Sequence, residues 1–231
     1  MRSTDARCDP QMTSRHFGNL PSGESVEAFT LTGSAGASLE FLSYGGIVRS
    51  IRMPNRHGSL ADVVLGFDNL AGEGSGDIFD HELTIESQTV LAVDDLMTPL
   101  GRSEAVAGTA ADFSSSRRLG DAIPDLFAQH GDCYVLPGGD ALHLAALLVE
   151  HASGWVLSVS TNEHCLQLDT GVSLEGQSIG KSGRPYLPFA GVCLESECYP
   201  AGVDFPEFGN ILVRPGFPQR RATRYAFSTI H

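Results

Sequence analysis

Positive charge is scarce in this sequence of 231 residues, in which 15 Lys and Arg stand against 28 Asp and Glu, for a formal net charge of −13. Nucleic acids and anionic membrane surfaces bind proteins through clustered cations. The one arginine cluster, FPQRRATR at 217–224, is typical of a solvated edge. The charge balance therefore predicts that neither nucleic acid nor a membrane is a partner.

Cysteines and long apolar runs are also few. The five cysteines are an odd number without the paired spacing of a disulfide framework, which favours a reducing compartment. The N-terminal residues lack the apolar core of a signal peptide, and the most apolar run, ALHLAALLVE, is shorter than a membrane span. We therefore expect a cytoplasmic protein. Phosphate-loop, zinc-protease and serine-hydrolase motifs are absent as well.

Short β-favouring segments punctuated by glycine and proline make up most of the chain. They predict an all-β domain of antiparallel sheets over 19–231, preceded by a loose arm over 1–18. RRLGDAIPDLFAQHG predicts a short helical turn, and the local propensity of DALHLAALLVEH favours a helix. The segments predicted as strands are VEAFTLTG, SLEFLSYGGIVRSIRMP, ADVVLGF, HELTIES, WVLSVSTNE, CLQLDTG, FAGVCLESECY, NILVRPG and TRYAFSTI.

One of these strands, in GVCLESECYP, carries two carboxylates between two cysteines. Strand alternation places Glu195 and Glu197 on one face with Cys193, whereas Cys198 points away, so the two thiols do not form a metal site together. Neighbouring carboxylates resist joint ionisation, and at least one pKa should rise. The pair suits acid and base chemistry in a cleft, and a solvated edge is the alternative.

Four longer segments are informative together. They are YGGIVRSIRMPNRHGSLADVVLGFD at 44–68, NLAGEGSGDIFDHELTIES at 69–87, VDDLMTPLGRSEAVAGTAADF at 93–113 and AGVCLESECYPAGVDFPEFGNILVRPG at 190–216. These segments resemble the aldose 1-epimerase (galactose mutarotase) family. The resemblance implies a shortened β-sandwich of the galactose-mutarotase type (supersandwich). It also makes DALHLAALLVEH a strand, against its local propensity.

The resemblance also implies a site. It makes Glu195 the general base that removes the proton of the sugar's C1 hydroxyl, and it makes Asp132, in GDCYVL, a contact to sugar hydroxyls. The segment around Asp132 is one residue shorter than usual in the family. The implied substrate is a free aldohexose such as glucose or galactose, with no metal and no organic cofactor.

The sequence departs from the family pattern in three ways. Ser196 and Glu197 stand where the family has threonine and glutamine, and Asp169 stands where it has tyrosine. At the junction of Asp68 and Asn69 a long central segment is missing, and with it the histidine that acts as the family's general acid. The replacement proton donors that the sequence offers are three histidines, left unranked: His81, His130 and His164.

Three hypotheses follow. The first is an aldose 1-epimerase that interconverts α and β anomers. The second is a catalytically silent carbohydrate-binding or regulatory module of the same fold, and the third is a remnant without selected function. We expect the N-terminal strands and the rest of the chain to close into one smaller sandwich, with a homodimer as one way to cover the edges that deleted strands leave.

Overall fold

The structure, a computed structural model, describes residues 11–33, 36–64, 77–126, 132–176, 179–180, 183–205, 208 and 211–230. The chain divides into two compact units, one formed by residues 1–75 and 176–186 and the other by residues 76–175 and 187–231. The expectation of one domain over 19–231 stays a prediction. The junction of Asp68 and Asn69 lies outside the described residues.

The first unit holds an N-terminal sheet in which each strand pairs antiparallel with the next along the chain. Its strands are β1 (Gln11–Asn19), β2 (Ser25–Thr32), β3 (Ser38–Leu42), β4 (Val48–Pro54) and β5 (Leu60–Asp62). Alternation gives the sheet one face with a small buried cluster of Val26, Ala28 and Leu42. The predicted strands VEAFTLTG and SLEFLSYGGIVRSIRMP are thereby confirmed as β2 to β4.

Residues 11–18 belong to β1, and their prediction as part of a loose arm is wrong. β1 pairs with β2 over its length, with one irregularity between His16 and Gly18. Every residue of β1 except Gly18 is exposed. Because neither face is buried, the strand has no alternation of apolar and polar residues. Backbone hydrogen bonds hold it in the sheet, and these do not depend on residue type, so the sequence does not predict the strand. Residues 1–10 of the predicted arm lie outside the described residues.

The second unit consists of two five-stranded antiparallel sheets. The front sheet has the order β14-β13-β10-β7-β8, and the back sheet has the order β15-β12-β11-β6-β9. The elements are β6 (Glu82–Ile85), β7 (Thr89–Val93), β8 (Pro99–Ala105), β9 (Arg117–Arg118), α1 (Leu119–Ala122), β10 (Asp132–Val135), β11 (His143–Val149), β12 (Trp155–Thr161), β13 (Cys165–Asp169), β14 (Cys193–Glu197) and β15 (Thr223–Thr229).

The two sheets pack face to face around one apolar core, which confirms the predicted β-sandwich. Alternate residues of each strand point inward, so the core draws on both sheets. The front sheet contributes Tyr134, Leu166, Leu168 and Leu194, and the back sheet contributes Leu83, Ile85, Ala146 and Val159. The hydroxyl of Tyr134 donates a hydrogen bond of 2.8 Å to the Ala111 carbonyl, which satisfies the one polar atom of this ring inside the core.

In two segments the observed structure differs from the structure that local propensity favours. DALHLAALLVEH contains β11, which lies between β12 and β6, so the strand that the resemblance implied is confirmed. NILVRPG is not a strand where it is described: residues 211–213 are irregular, and Arg214 makes only an isolated bridge to Phe217. The predicted helical turn is confirmed as α1, whose four residues make it far too short to cross a membrane; the described part of the chain contains no helix that could do so.

Candidate functional site

The strand that carries Glu195 is β14, at one edge of the front sheet. Its inward side is tied to the back sheet, because Ser196 Oγ lies 2.7 Å from Thr223 Oγ1 and the Tyr225 hydroxyl donates a 3.1 Å hydrogen bond to the Leu194 carbonyl. These contacts fix the inner face of β14, and with it the direction in which Glu195 projects outward.

The outward side of β14 carries Cys193, Glu195 and Glu197, as the alternation predicts. Antiparallel pairing sets these three opposite Asp169, Gln167 and Cys165 of β13. Directly paired residues share a face of the sheet. The outer face of this edge is therefore a strip of three carboxylates, one amide and two thiols.

Burial increases along β14 from Glu195 to Glu197. Glu195 is exposed, whereas Glu197 is half-buried and accepts a contact of 3.9 Å from the thiol of Cys133 at Oε1. Burial raises the pKa of Glu197, and the charges of Glu195 and Glu163 raise it further. The expectation that one carboxyl of the pair has a raised pKa is confirmed for Glu197.

An apolar cluster covers the same outer face beside this strip. It contains Leu91, Cys133, Cys165 and Tyr199, with Val135, Phe205 and Phe208 packed against them. The rings of Tyr199 and Phe208 are stacked at 4.0 Å, and a Cβ on Gly101 would lie 2.4 Å from the ring of Phe205. Aromatic rings therefore cover the centre of the front sheet, and the face becomes polar and exposed toward Glu195.

Asp132 does not lie with Glu195. It is the first residue of β10, where it pairs with Leu168, so it points to the inner side of the front sheet together with Tyr134. Burial raises the pKa of Asp132. A shift of one residue moves a strand side chain to the opposite face, so the register of β10 decides whether Asp132 faces the core or the outer strip. The assignment of Asp132 to sugar binding stays a prediction.

The histidines offered as proton donors are placed differently. His81 precedes β6 in the back sheet, and burial lowers its pKa. His164 lies in the turn before β13 with its ring against Gly138, where a Cβ would be 2.3 Å from Cδ2 of the histidine. His130 lies outside the described residues. Neither described histidine belongs to the strip of β13 and β14.

Within the described ranges, no group of three or more His, Cys, Asp or Glu side chains could hold a metal ion. A concavity of about 240 Å³ lies instead on the segment before β15, lined by Leu212, Arg214, Phe217, Pro218 and Gln219. It contains none of the predicted site residues.

Sequence reasoning missed Gln167 as a neighbour of Glu195. Alternation within LQLDTG places Gln167 and Asp169 on one side of a strand, and that signal was available. The partner strand and the register, which set Gln167 opposite Glu195, depend on a loop of more than twenty residues between β13 and β14.

Comparisons with known proteins agree on one family. The family described as aldose 1-epimerase matches residues 69–226. Over 161 residues the chain is 38% identical to the galactose mutarotase of Homo sapiens, covering 69% of this chain and 47% of that protein. Over 167 residues it is 31% identical to the aldose 1-epimerase of Escherichia coli, covering 69% of this chain and 48% of that protein. The chain thus spans about half the length of the curated relatives it matches.

Solved structures share the fold. A galactose 1-epimerase from Lactobacillus acidophilus matches with a TM-score of 0.69 at 16% identity, over 96% of this chain and 100% of that one. An aldose epimerase homologue from C. elegans matches with a TM-score of 0.63 at 18% identity, over 96% of this chain and 66% of that one. These matches confirm the galactose-mutarotase type of sandwich.

Proposed function

Because the chain belongs to the aldose 1-epimerase family, we propose that it interconverts the α and β anomers of a free aldohexose such as glucose or galactose. Glu195 is the general base. The observation that carries the proposal is the location of this carboxylate on the exposed side of β14, beside the amide of Gln167 and next to an aromatic cluster.

The reaction needs little more than positioned proton transfer. Glu195 accepts the proton of the C1 hydroxyl while a proton is delivered to the ring oxygen, so the C1–O5 bond breaks and an aldehyde forms. The aldehyde rotates, and the ring closes on its other face as both protons return. An exposed carboxylate is accessible to a substrate that arrives from solvent.

The neighbours of Glu195 fit a sugar. Gln167 can both donate and accept a hydrogen bond, which suits vicinal hydroxyl groups. Phe205 and Phe208 border the polar strip on the same face, and sugar sites generally combine a few placed polar groups with aromatic walls. These contacts support an aldohexose as the substrate class.

Polarimetry tests the proposal. We expect the protein to accelerate the approach of freshly dissolved α-glucose or α-galactose to its equilibrium rotation, relative to buffer and to heat-inactivated protein. Titration with sugar, followed by the fluorescence of the sole tryptophan, Trp155, measures binding separately. Sugar binding without acceleration would overturn catalysis and favour a silent binding module.

Asp132→Asn tests the second site residue that the resemblance implies. Since Asp132 points to the inner side of the sheet, we expect the KM for sugar to change by less than about twofold, whereas loss of a direct hydrogen bond worth about 1.5 kcal/mol would raise KM roughly tenfold. Kinetic constants from polarimetry decide between the two.

The same variant has an expected signature in stability. The pKa of Asp132 is raised in the folded state, so its ionisation opposes folding once the pH exceeds the ordinary value of the carboxyl. In thermal melts, the melting temperature of Asp132→Asn should therefore rise relative to that of the wild type as the pH increases from about 3 to 7. Equal differences at both pH values would contradict the burial of this carboxyl.

We further propose a cytoplasmic location and, for the assembled protein, a homodimer. The second follows from the expectation that a shortened sandwich needs cover for its edges. Static light scattering measures the mass in solution against the 24.6 kDa of one chain, and a monomeric mass contradicts the dimer.

A further inference from the structure

The proposed reaction still lacks an assigned proton donor. The base on β14 accounts for one proton, and the ring oxygen still needs another. Of the three candidate histidines, the structure describes His81, which directly precedes β6 of the back sheet, and His164, which directly precedes β13 with its ring against Gly138. A donor must come within hydrogen-bond reach of the same hemiacetal that Glu195 touches.

Glu197 meets this geometric requirement. It lies two residues from Glu195 on one strand and on the same face, so their Cα atoms are about 6.6–6.8 Å apart. The two oxygens that exchange protons in a hemiacetal are bonded to a single carbon. Two glutamate side chains from one strand can therefore converge on both oxygens without movement of the backbone.

The surroundings of Glu197 favour the protonated carboxyl. Its cross-strand partner is the fully buried Cys165, and the thiol of Cys133 lies 3.9 Å from Oε1. Burial has the largest effect and raises the pKa of Glu197, whereas the contact from the Cys133 thiol opposes that rise. Two adjacent carboxyls that share one face resist joint ionisation, and burial disfavours the charged form of Glu197.

Two charged residues from outside β13 and β14, Glu163 and its partner Arg221, also bear on Glu197. Glu163, in the turn after β12, is 8% exposed and adds a second negative charge. Arg221 pairs with Glu163 at 3.4 Å and also bonds the thiol of Cys198, so this cation is directed to other partners. Burial and the charges of Glu195 and Glu163 all raise the pKa of Glu197.

We propose that Glu197 is the general acid of this protein, in place of the histidine that the family uses. This inference rests on the proposed function. Glu197 gives its proton to the ring oxygen while Glu195 takes the proton of the C1 hydroxyl; the C1–O5 bond breaks and the carbonyl forms. On closure Glu197 recovers the proton from the C5 hydroxyl and Glu195 returns its own to O1, which restores both groups.

The departure at this position then has a chemical meaning. The family has glutamine where this chain has Glu197, and an amide cannot transfer a proton as a carboxyl can. The carboxyl of Glu197 beside the base can therefore serve as the acid in place of the histidine that the resemblance implies. Two carboxyls whose surroundings separate their protonation states form an acid and base pair in other enzymes.

Glu197→Gln, Glu197→Asp and the control Glu104→Gln test the assignment by polarimetry across pH 4–9. Glu104 lies on β8, at the opposite edge of the same sheet, and is exposed. We expect Glu197→Gln to lower kcat by about 10²–10⁴-fold and to remove the fall of rate on the alkaline side, because the acid no longer deprotonates there. Glu197→Asp should restore part of the rate, and Glu104→Gln should match the wild type.

A titration of ¹³C-labelled glutamate side chains by NMR adds a readout that does not depend on turnover. The resonance lost in Glu197→Gln should titrate above the usual value of about 4.3, and its midpoint should fall in Glu195→Gln, where a repelling charge is gone. A midpoint at or below about 4.3 overturns the assignment.

The outcomes separate the two proposals. If the wild type accelerates mutarotation and Glu197→Gln keeps both its rate and its alkaline limb, Glu197 is not the acid and the proposed function stands. If His164→Asn removes the alkaline limb instead, the donor is that histidine. If the wild type gives no acceleration, the proposed function fails and the assignment of Glu197 fails with it.

Discussion

Glu195→Gln should lower the rate of anomer interconversion by about 10²–10⁴-fold, the usual contribution of one positioned proton-transfer group. The amide keeps the size and hydrogen-bonding capacity of the side chain but cannot accept the proton of the C1 hydroxyl. Because Glu195 is exposed on its strand, the substitution leaves the core untouched. Sugar affinity measured by fluorescence should change little, so the effect falls on kcat.

Two further variants locate the effect. Glu104→Gln removes a carboxylate from the other edge strand of the front sheet, where it pairs with Arg102, and its rate should equal that of the wild type. Gln167→Ala, opposite Glu195, should raise KM while leaving most of kcat, because an amide positions sugar without moving a proton. A Glu195→Gln protein that keeps the wild-type rate would remove the base from the proposed reaction.

Much of the fold could be predicted from local pattern. The strands β6, β12, β13, β14 and β15 fall within segments chosen for β-branched and aromatic residues between glycines, and β2 begins one residue before its segment. The strands β1, β7, β8, β9 and β10 lie in no segment predicted as a strand. The exceptions lie where tertiary contacts decide. Leucines and alanines in β11 favour a helix locally, but pairing with β12 and β6 buries them as a strand. NILVRPG has β-favouring residues but no partner strand in its described part.

The candidate site could be predicted only in part. Alternation along one strand was enough to set Glu195 and Glu197 on the same face, because the period of two is a local property. The location of Asp132 depends on register, and its pairing with Leu168 turns its side chain to the inner face. The burial that separates Glu197 from Glu195 comes from β10 and from the segment after β14, and no local pattern contains it.

Leu166→Ala should destabilise the second unit by about 2–5 kcal/mol, because it removes a fully buried side chain from the interface between the two sheets. Leu166 lies on β13 between Cys165 and Gln167, and its side chain packs in the core. It thereby holds in place the strand whose Gln167 lies opposite Glu195. For a unit of this size the melting temperature should fall by roughly 5–15 °C. The fluorescence of Trp155, on β12, reports this unit without signal from the N-terminal sheet.

Leu96→Ala is the matched control, since the same atoms are removed from a leucine of the same unit that is 85% exposed. Its stability should stay within about 0.5 kcal/mol of the wild type. The comparison isolates burial from side-chain chemistry. If both variants melt alike, Leu166 does not lie in a core between the two sheets, and β13 does not have the orientation that presents Gln167 beside the proposed base.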